Sequence, residues 1–334
     1  MRRSHIGEFE LLQRLRQATR VPRALRGSVV AGIGDDAAVL KLRPGHVLLA
    51  TTDLLAEHIH FDMTCTSYRQ LGYKAAMVNF SDIAAMGGIP RFVLMALALT
   101  PRESSRDVEA LYAGVHAACR RADVAIIGGD TSASRRDLFL TIVVLGESAP
   151  REVLRRSTAH AGDYLFVTGT VGDAQAGLEL LQARKRTSSY LTDRHLAPTA
   201  RLREARLLAE NRLASAAIDL SDGLAGDVRH ICEESGVGCL LDARKFPLSP
   251  ALLTHARSRR RNPIAYALSG GEDYELLFAV PPPKVRRVEA LISRRRLRAT
   301  AIGRIVTASQ GLRIIGANGS VRPLAAKGYE HRVG

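Results

Sequence analysis

The feature that most constrains this chain is a pair of adjacent aspartates in a glycine-rich turn. Asp35 and Asp36 follow Gly32-Ile33-Gly34 and precede a short apolar run. The Gly-x-Gly spacing resembles a dinucleotide-binding turn, but two carboxylates at that point would repel a bare pyrophosphate. The turn therefore needs a cation in order to bind phosphate. Mg²⁺ fits, because it binds through one or two carboxylates together with the oxygens of a substrate phosphate.

The same chemistry recurs along the chain, each time in a glycine-rich or apolar setting. For the first pair alone, the alternative is a plain turn with one capping aspartate, but a plain turn does not explain the recurrence. A carboxylate in such surroundings is costly unless a proton, a partner or a cation neutralises it. Together these residues predict several divalent cations that bind a polyphosphate. The seven carboxylates are those of Asp35, Asp36, Asp53, Asp82, Asp130, Asp219 and Asp222.

Length and composition favour a two-domain globular protein. The chain has 334 residues, of which 46% are hydrophobic and 24% are charged, the balance of a soluble protein. No apolar run approaches the ~20 residues that span a bilayer, and we expect a cytoplasmic protein with no membrane partner. The turn signals at 147–150 predict a domain boundary there, which gives domains 1–150 and 151–334.

Two kinds of metal or disulfide site are disfavoured by spacing. The four cysteines are scattered, without a Cys-x-x-Cys pair, so neither a disulfide framework nor a zinc site is predicted from them. Glu57, His58 and His60 suggest zinc at first, but the two histidines lie two residues apart and no third ligand follows at a zinc spacing.

Periodicity and turn signals predict an α/β chain. In the first half we expect an amphipathic helix over 7–17 and a hairpin of 38–42 with 47–51, turning at Pro44-Gly45. A long helix capped by Ser67 follows to about residue 86, then a strand over 92–99, a helix over 105–121 and strands over 124–127 and 138–145. The second half predicts strands over 164–168 and 216–219 and helices over 174–181 and 201–210, with a further helix ending near 234.

The basic charge leaves a second class of function open. The formal net charge is +15, and arginines cluster at 257–261 and 294–296, which is compatible with nucleic-acid binding. However, aromatic residues make up only 5% of the chain and none is Trp, so bases would find few rings to stack on. We interpret the clusters as solvated faces, and nucleic acid is the lesser hypothesis.

Six motifs follow one another along nearly the whole chain. They are Gly34-Asp35-Asp36-Ala37-Ala38, Thr52-Asp53 with His60-Phe61, Asn79-x-Ser81-Asp82 with 84–87, Gly128-Gly129-Asp130-Thr131, Asp219-x-Ser221-Asp222-Gly223-Leu224, and the Gly-Gly-Glu-Asp-Tyr-Glu-Leu turn at 270–276. In this order they resemble the thiamine-monophosphate kinase family. Most are shared with the wider superfamily of aminoimidazole ribonucleotide synthetase, selenophosphate synthetase and a hydrogenase maturation factor, and the last two are the most specific to the kinase.

The resemblance implies a fold, ligands and partners. It implies the two-domain α/β (α+β) fold of the aminoimidazole ribonucleotide synthetase superfamily, with the N-terminal sheet pairing across a homodimer. ATP would be the co-substrate, several Mg²⁺ ions the cofactor, and thiamine monophosphate the acceptor that becomes thiamine diphosphate. The implied Mg²⁺ ligands are Asp35, Thr51, Thr52, Asp53, Asp82, Asp130, Asp219 and Asp222; the implied ATP contacts are Tyr112, Gly129, Asp130, Arg156 and Ser221; the implied substrate contacts are His60, Glu272 and Tyr329.

Two positions depart from the family pattern. Thr158 follows Arg156-Ser157 where a glycine is expected, which puts the backbone around Arg156 in question. Tyr329 stands where a large aromatic, often Trp, is expected, and such a ring can stack on a cationic thiamine ring.

The resemblance also implies a mechanism without a general base. The acceptor phosphate is largely dianionic at neutral pH, with a second pKa near ~6, and can attack the γ-phosphorus directly.

Within the superfamily, selenophosphate synthetase would need a reactive group near the start and the maturation factor a C-terminal cysteine. The first cysteine here is Cys65 and the sequence ends at Gly334, so both alternatives are disfavoured.

Overall fold

The computed structural model of the chain describes residues 21–33, 37–184, 189–325 and 328. Over these ranges it contains thirteen strands and nine helices, and the α/β prediction is confirmed. The chain divides into two compact units, one of residues 1–83 and 88–151 and the other of residues 84–87 and 152–334. No helix in the described ranges is long and apolar enough to cross a bilayer. The helix predicted over 7–17 lies outside the described residues.

The first unit is built on a four-stranded sheet. Its elements are β1 (Val29–Ala31), β2 (Val39–Leu40), β3 (Val47–Ala56), α1 (Tyr68–Ala85), β4 (Ile89–Leu99), α2 (Ser105–Ala122), β5 (Ala125–Ala133) and β6 (Phe139–Ser148). The strand order is β3-β6-β4-β5, in which only the β4–β5 pair is parallel. The strands β3 and β5 are therefore the two edges of this sheet.

The strands β3 and β6 alternate between a buried and a more open face. Along β6, Leu140, Ile142 and Val144 are buried while the residues between them are half-buried. The buried face is the one on which α1 packs, since a Cβ at Gly146 would lie 2.9 Å from the Ile83 side chain. On β3 this face carries Thr51 and Asp53, and the opposite face carries Thr52 and Leu54.

The two helices of this unit touch through glycines. A Cβ at Gly72 of α1 would lie 2.0 Å from the Leu111 carbonyl oxygen of α2, and a Cβ at Gly114 of α2 would lie 2.0 Å from the Arg69 carbonyl oxygen of α1. Because backbone meets backbone at both points, a side chain there would force the helices apart. The position of α1, which carries Asp82, is fixed in this way.

The hairpin predicted around Pro44-Gly45 is wrong. The strand β2 pairs with β1, whereas β3 pairs along its whole length with β6, about ninety residues later in the chain. Local turn chemistry suggested a pairing of neighbours in sequence. The apolar strand β6 offers β3 ten paired residues instead, far more than the two-residue strand β2 can offer.

The second unit contains a seven-stranded sheet and seven of the described helices. The sheet order is β13-β12-β9-β11-β7-β10-β8, antiparallel except between β12 and β9. The strands are β7 (Tyr164–Thr168), β8 (Ala216–Asp219), β9 (Val237–Asp242), β10 (Leu276–Val280), β11 (Ala299–Thr307), β12 (Leu312–Ile315) and β13 (Val321–Pro323). The helices are α3 (Asp173–Gln182), α4 (Ser189–Leu196), α5 (Leu202–Glu210), α6 (Leu224–Ser235), α7 (Pro250–Ser258), α8 (Pro263–Ser269) and α9 (Val285–Ser293).

The strands β7 and β10 of this sheet are buried on both faces, which explains their unbroken apolar sequences. In β10, Leu277 and Ala279 belong to the core that includes α6, while Phe278 and Val280 belong to the core that includes α5 and α9. A strand covered on both sides needs apolar residues at every position instead of every second one. The predicted Mg²⁺ ligands of this unit lie at the end of the edge strand β8 and in the loop that follows it.

Candidate functional site

Two carboxylates lie close together in the first unit, where β3 faces α1. Burial, and then the charge of Asp82, raise the pKa of Asp53 to about 6. The hydroxyl of Thr51 donates a hydrogen bond of 2.6 Å to the Asp82 carboxylate. Three predicted metal ligands are therefore brought together. Two neighbouring carboxylates repel each other when both are ionised, and a divalent cation removes that repulsion. Together with a hydroxyl they form a set of oxygen ligands that fits Mg²⁺.

Strand geometry separates the other predicted ligands of this unit from that cluster. Thr52 points to the opposite face of β3 from its neighbours and is exposed. Asp130 lies on β5, at the other edge of the sheet, and aligns through Ala96 and Thr141 with Leu54. Two strands lie between Asp130 and β3, a separation of about 14 Å at the usual strand spacing. The first unit thus presents two groups of predicted ligands instead of one cluster.

The predicted ATP contacts of the first unit occupy very different surroundings. Gly129 is exposed next to Asp130, and a Cβ there would lie 2.0 Å from the Met95 carbonyl oxygen, so only glycine allows β5 to approach β4 at this point. Tyr112 is buried in α2, and burial raises the pKa of its hydroxyl to about 12. The phenol therefore stays protonated at neutral pH.

His60 lies in the turn after β3, where its Nδ1 accepts a hydrogen bond of 3.0 Å from the Ala56 N–H. The buried Glu57 nearby accepts a hydrogen bond of 2.5 Å from the Arg102 guanidinium and one of 3.0 Å from the Leu138 N–H. The ligand atoms of Glu57, His58 and Asp137 lie within 4.8 Å of one another. His60 is not part of this group, and the charge of Arg102 already compensates that of Glu57. Both observations agree with the prediction that residues 57–60 do not bind zinc, but neither tests it.

The second unit gathers three carboxylates at the end of β8. Asp219 ends the strand, Asp222 follows in the loop, and the Asp222 N–H donates a hydrogen bond of 3.2 Å to Asp227 in the first turn of α6. Burial, and then the charges of the other two aspartates, raise the pKa of Asp227 well above its usual range. Sequence analysis missed Asp227. The sequence did offer a sign of it, because Asp227 is the one charged residue in the otherwise apolar run 224–228, which is not the composition of a solvated helix face.

Arg156 lies beside this group, in the short 3₁₀ turn Arg156–Thr158. Its charge opposes the rise in the pKa of Asp227, although it is weaker than burial and the two aspartates. Thr158 donates a hydrogen bond of 2.7 Å to the Ser215 carbonyl, and the Arg156 carbonyl accepts one of 2.7 Å from Ser235. Thr158 is not among the residues with positive φ. The departure from glycine at this position is therefore accommodated without strain.

The Gly-Gly-Glu-Asp-Tyr-Glu-Leu turn is a strained loop held on both sides. Glu272 and Tyr274 have φ values of 68° and 49°, a region that side chains other than glycine adopt at a cost. The Glu272 N–H donates to the Ser221 carbonyl at 2.8 Å and the Tyr274 N–H to the Leu220 carbonyl at 2.9 Å. The loop therefore lies against the loop that carries Ser221 and Asp222.

Two buried acids anchor this loop to the rest of the unit. Asp273 accepts hydrogen bonds from the N–H groups of Gly172 and Ala174, at the N-terminus of α3. Burial raises its pKa to about 7 despite the opposing charge of Arg194. Glu275 is fully buried and accepts hydrogen bonds from Arg194, Arg201 and Thr168. The predicted Asp35 and Tyr329 lie outside the described residues.

Comparisons with known proteins cover almost the whole chain. The family model described as AIR synthase related protein, N-terminal domain, matches residues 34–148, and the corresponding C-terminal domain model matches residues 160–315. The thiamine-monophosphate kinase of Salmonella typhimurium is 38% identical over 330 residues, which are 97% of this chain and 98% of that protein. The thiamine-monophosphate kinase of Bacillus subtilis is 33% identical over 333 residues, 97% of this chain and 99% of that protein.

Solved structures agree with this similarity. The thiamine-monophosphate kinase from Stenotrophomonas maltophilia has a TM-score of 0.81 at 36% identity and covers 94% of this chain and 99% of its own. A structure described as AaThiL complexed with AMPPCP and TMP has a TM-score of 0.77 at 34% identity, with 99% of both chains covered. The hydrogenase maturation protein HypE in complex with ATP, at 19% identity and a TM-score of 0.74, shares the fold. The predicted aminoimidazole ribonucleotide synthetase-like fold is thereby confirmed.

Proposed function

Because the chain belongs to the thiamine-monophosphate kinase family and is an enzyme of that kind, we propose that it phosphorylates thiamine monophosphate to thiamine diphosphate with ATP, by direct in-line transfer. The observation that carries this proposal is the presence, in each unit, of carboxylates whose pKa values are raised by burial and by one another. Such groups are suited to hold the cations of a phosphoryl-transfer site.

The residues of this chain would hold Mg²⁺ in both units. Asp53 and Asp82 with Thr51 form one donor group, and Asp219, Asp222 and Asp227 form another. Bound Mg²⁺ would neutralise the charge of the phosphates and hold them in line. Asp227 extends the ligand set that the family resemblance implies, and Asp35, Thr52 and Asp130 complete it.

The remaining site residues would bind and orient the two substrates. Arg156, beside the Asp222 group, would stabilise the negative charge that develops on the transferred phosphoryl group. Gly129, Tyr112 and Ser221 would contact ATP, while His60, Glu272 and Tyr329 would contact thiamine monophosphate. No side chain need remove a proton, because the acceptor phosphate is largely dianionic above its second pKa of about 6.

We also infer a homodimer in which the open faces of two first-unit sheets pair. On β3, the side chains of Leu48 and Leu54 point to the same face of the sheet and are 47% and 55% exposed. An exposed apolar strip of this kind on a sheet is suited to a partner surface. In this proposal residues 1–150 form the dimerisation and Mg²⁺/ATP-binding domain, and residues 151–334 form the second α/β domain.

An assay of ADP formation with ATP and Mg²⁺ tests the function. We would compare thiamine monophosphate, free thiamine and aminoimidazole precursors as acceptors and identify the diphosphate product directly. Turnover with thiamine monophosphate alone is the expected result. Turnover with only an aminoimidazole precursor would instead favour another ATP-dependent activity of the superfamily. If the folded protein turns over none of them, retention on nucleic acid that falls with salt would favour the nucleic-acid hypothesis.

A further inference from the structure

The helix α4 contacts the Glu272 loop through two consecutive side chains. Arg194 reaches the buried side of the loop: its guanidinium donates hydrogen bonds of 2.8 Å to the Glu275 carboxylate and 3.3 Å to the Asp273 carbonyl. The next residue, His195, faces the other side, and its Nδ1 lies 3.1 Å from Oε2 of Glu272. One helix therefore contacts both the anchor of the loop and the side chain predicted to bind the substrate.

The surroundings of this contact suit a fixed orientation. The His195 side chain is 8% exposed, whereas that of Glu272 is 28% exposed. One carboxylate oxygen thus meets a buried ring, while the side chain as a whole stays accessible to a ligand. The helix itself is fixed, because a Cβ at Gly177 of α3 would lie 2.0 Å from the Leu191 carbonyl oxygen of α4. The ring therefore has little freedom to follow a moving carboxylate.

Glu272 needs such support because its backbone is strained. At a φ of 68° it occupies a conformation that a glutamate seldom adopts, and its main chain is held to Ser221 by one hydrogen bond of 2.8 Å. The side chain of a residue on a strained loop has several rotamers available, and each misplaced rotamer weakens the contact with a ligand.

We propose that His195 is a positioning residue for the acceptor: its imidazole holds one Glu272 carboxylate oxygen so that the carboxylate faces thiamine monophosphate. The proposal rests on the function proposed above. It concerns binding of the acceptor, because Glu272, whose carboxylate lies 3.1 Å from the ring, is the side chain predicted to contact thiamine monophosphate.

The test measures KM for thiamine monophosphate, KM for ATP and kcat in His195→Ala and His195→Asn. Asparagine keeps a donor close to the position of Nδ1, so it should restore the contact that alanine removes. We expect His195→Ala to raise KM for thiamine monophosphate about tenfold, because it removes the 3.1 Å contact between Nδ1 and the Glu272 carboxylate. KM for ATP should stay within about twofold of the wild-type value, and His195→Asn should recover most of the affinity.

A matched control is available in the same unit. His255 is also buried, and its Nε2 lies 3.1 Å from a carboxylate oxygen of Glu179, but no predicted site residue is part of that contact. His255→Ala should lower the unfolding temperature as much as His195→Ala while leaving KM for thiamine monophosphate unchanged. If both variants raise this KM alike, His195 acts only through stability and the proposal is overturned.

A double-mutant cycle separates the remaining outcomes. If His195 acts through Glu272, His195→Asn and His195→Ala should have the same KM in a Glu272→Ala background, where no side-chain acceptor remains, whereas they differ in the wild type. Equal effects of His195→Ala in both backgrounds would overturn the positioning role while leaving the kinase function standing. Wild-type protein that does not turn over thiamine monophosphate at all would overturn both proposals.

Discussion

At the scale of single residues, each candidate ligand group places carboxylates beside carboxylates. The charge of Asp82 raises the pKa of Asp53, and Asp219 and Asp222 raise that of Asp227. An arrangement that only stabilised the fold would place an arginine between such groups, as Arg194 and Arg201 are placed around Glu275. The energetic cost of the repulsion is recovered only when a proton or a cation binds.

Asp53→Asn should therefore separate activity from stability. Removing one charge relieves the repulsion with Asp82, so in the absence of Mg²⁺ the variant should unfold at the same temperature as the wild type or above it. The turnover number should fall by at least about 100-fold, because a ligand of the phosphate-bound cation is lost. ADP formation and thermal unfolding measure the two effects.

The control for this variant is Asp123→Asn. Asp123 is an exposed residue after α2 with a φ of 52°, a conformation that asparagine also tolerates. This substitution removes the same charge from the same unit and should leave the turnover number and the unfolding temperature unchanged. Full activity of Asp53→Asn would contradict the metal assignment.

The buried Asp273 gives the stability of the protein a pH dependence. Its pKa is about 7 when folded and about 4 when unfolded. Between these values the folded protein keeps a proton that the unfolded chain has lost, so the free energy of unfolding falls as the pH rises from about 4 to about 7. The decrease from this group should be on the order of 4 kcal/mol, because one pKa unit corresponds to about 1.4 kcal/mol.

Urea unfolding at several pH values checks this expectation. Asp273→Asn cannot ionise, and it should flatten the decrease between pH 4 and 7 while lowering stability at every pH, because asparagine has one acceptor for the two N–H groups of Gly172 and Ala174. An unchanged slope in the variant would show that other groups cause the pH dependence.

At the scale of elements, the sequence predicted the strands and helices that local patterns determine. The Ser67 cap is confirmed: its hydroxyl accepts a hydrogen bond from the Gln70 N–H, and the Gln70 side chain accepts one from the Ser67 N–H. The strand predicted over 164–168 has the observed bounds, and the helix predicted over 105–121 ends one residue later.

What the sequence could not predict is which elements meet. The pairing of β3 with β6 depends on residues about ninety positions apart, and no local signal encodes it. The strand order places β3 and β5 at opposite edges of the sheet, which separates Asp130 from Asp53, although both were predicted as ligands. Asp227 was missed for a related reason, since its neighbours Asp219 and Asp222 approach it only after the loop and α6 have formed.

Gly129 tests the contact between two elements of the first unit. In Gly129→Ala the new methyl group would overlap the Met95 carbonyl, so β5 must move away from β4 and take Asp130 with it. We expect a loss of about 1–3 kcal/mol in the free energy of unfolding, typical of overpacking, together with a loss of kinase activity larger than that destabilisation explains. Gly27→Ala is the control, because nothing lies within 4 Å of a Cβ at Gly27. Equal behaviour of the two variants would show that the strands can separate without consequence.

At the scale of the whole molecule, the first-unit sheet has one face covered by helices and another covered only in part. Around Leu25, the residues Val29, Ala38 and Leu40 of the β1–β2 region pack against Phe92 and Ile127. Toward the β3 edge, the same face leaves Leu48 and Leu54 exposed. Antiparallel strands with a solvated face carry polar residues there, so exposed leucines at these two positions support the proposal that two copies of the chain pair through this face.

Leu54→Glu should dissociate the proposed dimer. A glutamate at the centre of an apolar interface would be buried without a partner, and the dissociation constant should rise at least about 100-fold. Sedimentation velocity over a range of concentrations would show a monomer where the wild type sediments as a dimer. Leu253→Glu provides the control, since Leu253 is 42% exposed on α7, away from the β3 strip in sequence and in the other unit. A wild-type monomer, or equal dissociation by both substitutions, would contradict the assignment of this face, whereas dissociation by Leu54→Glu alone would make the open sheet the surface through which two copies of the chain associate.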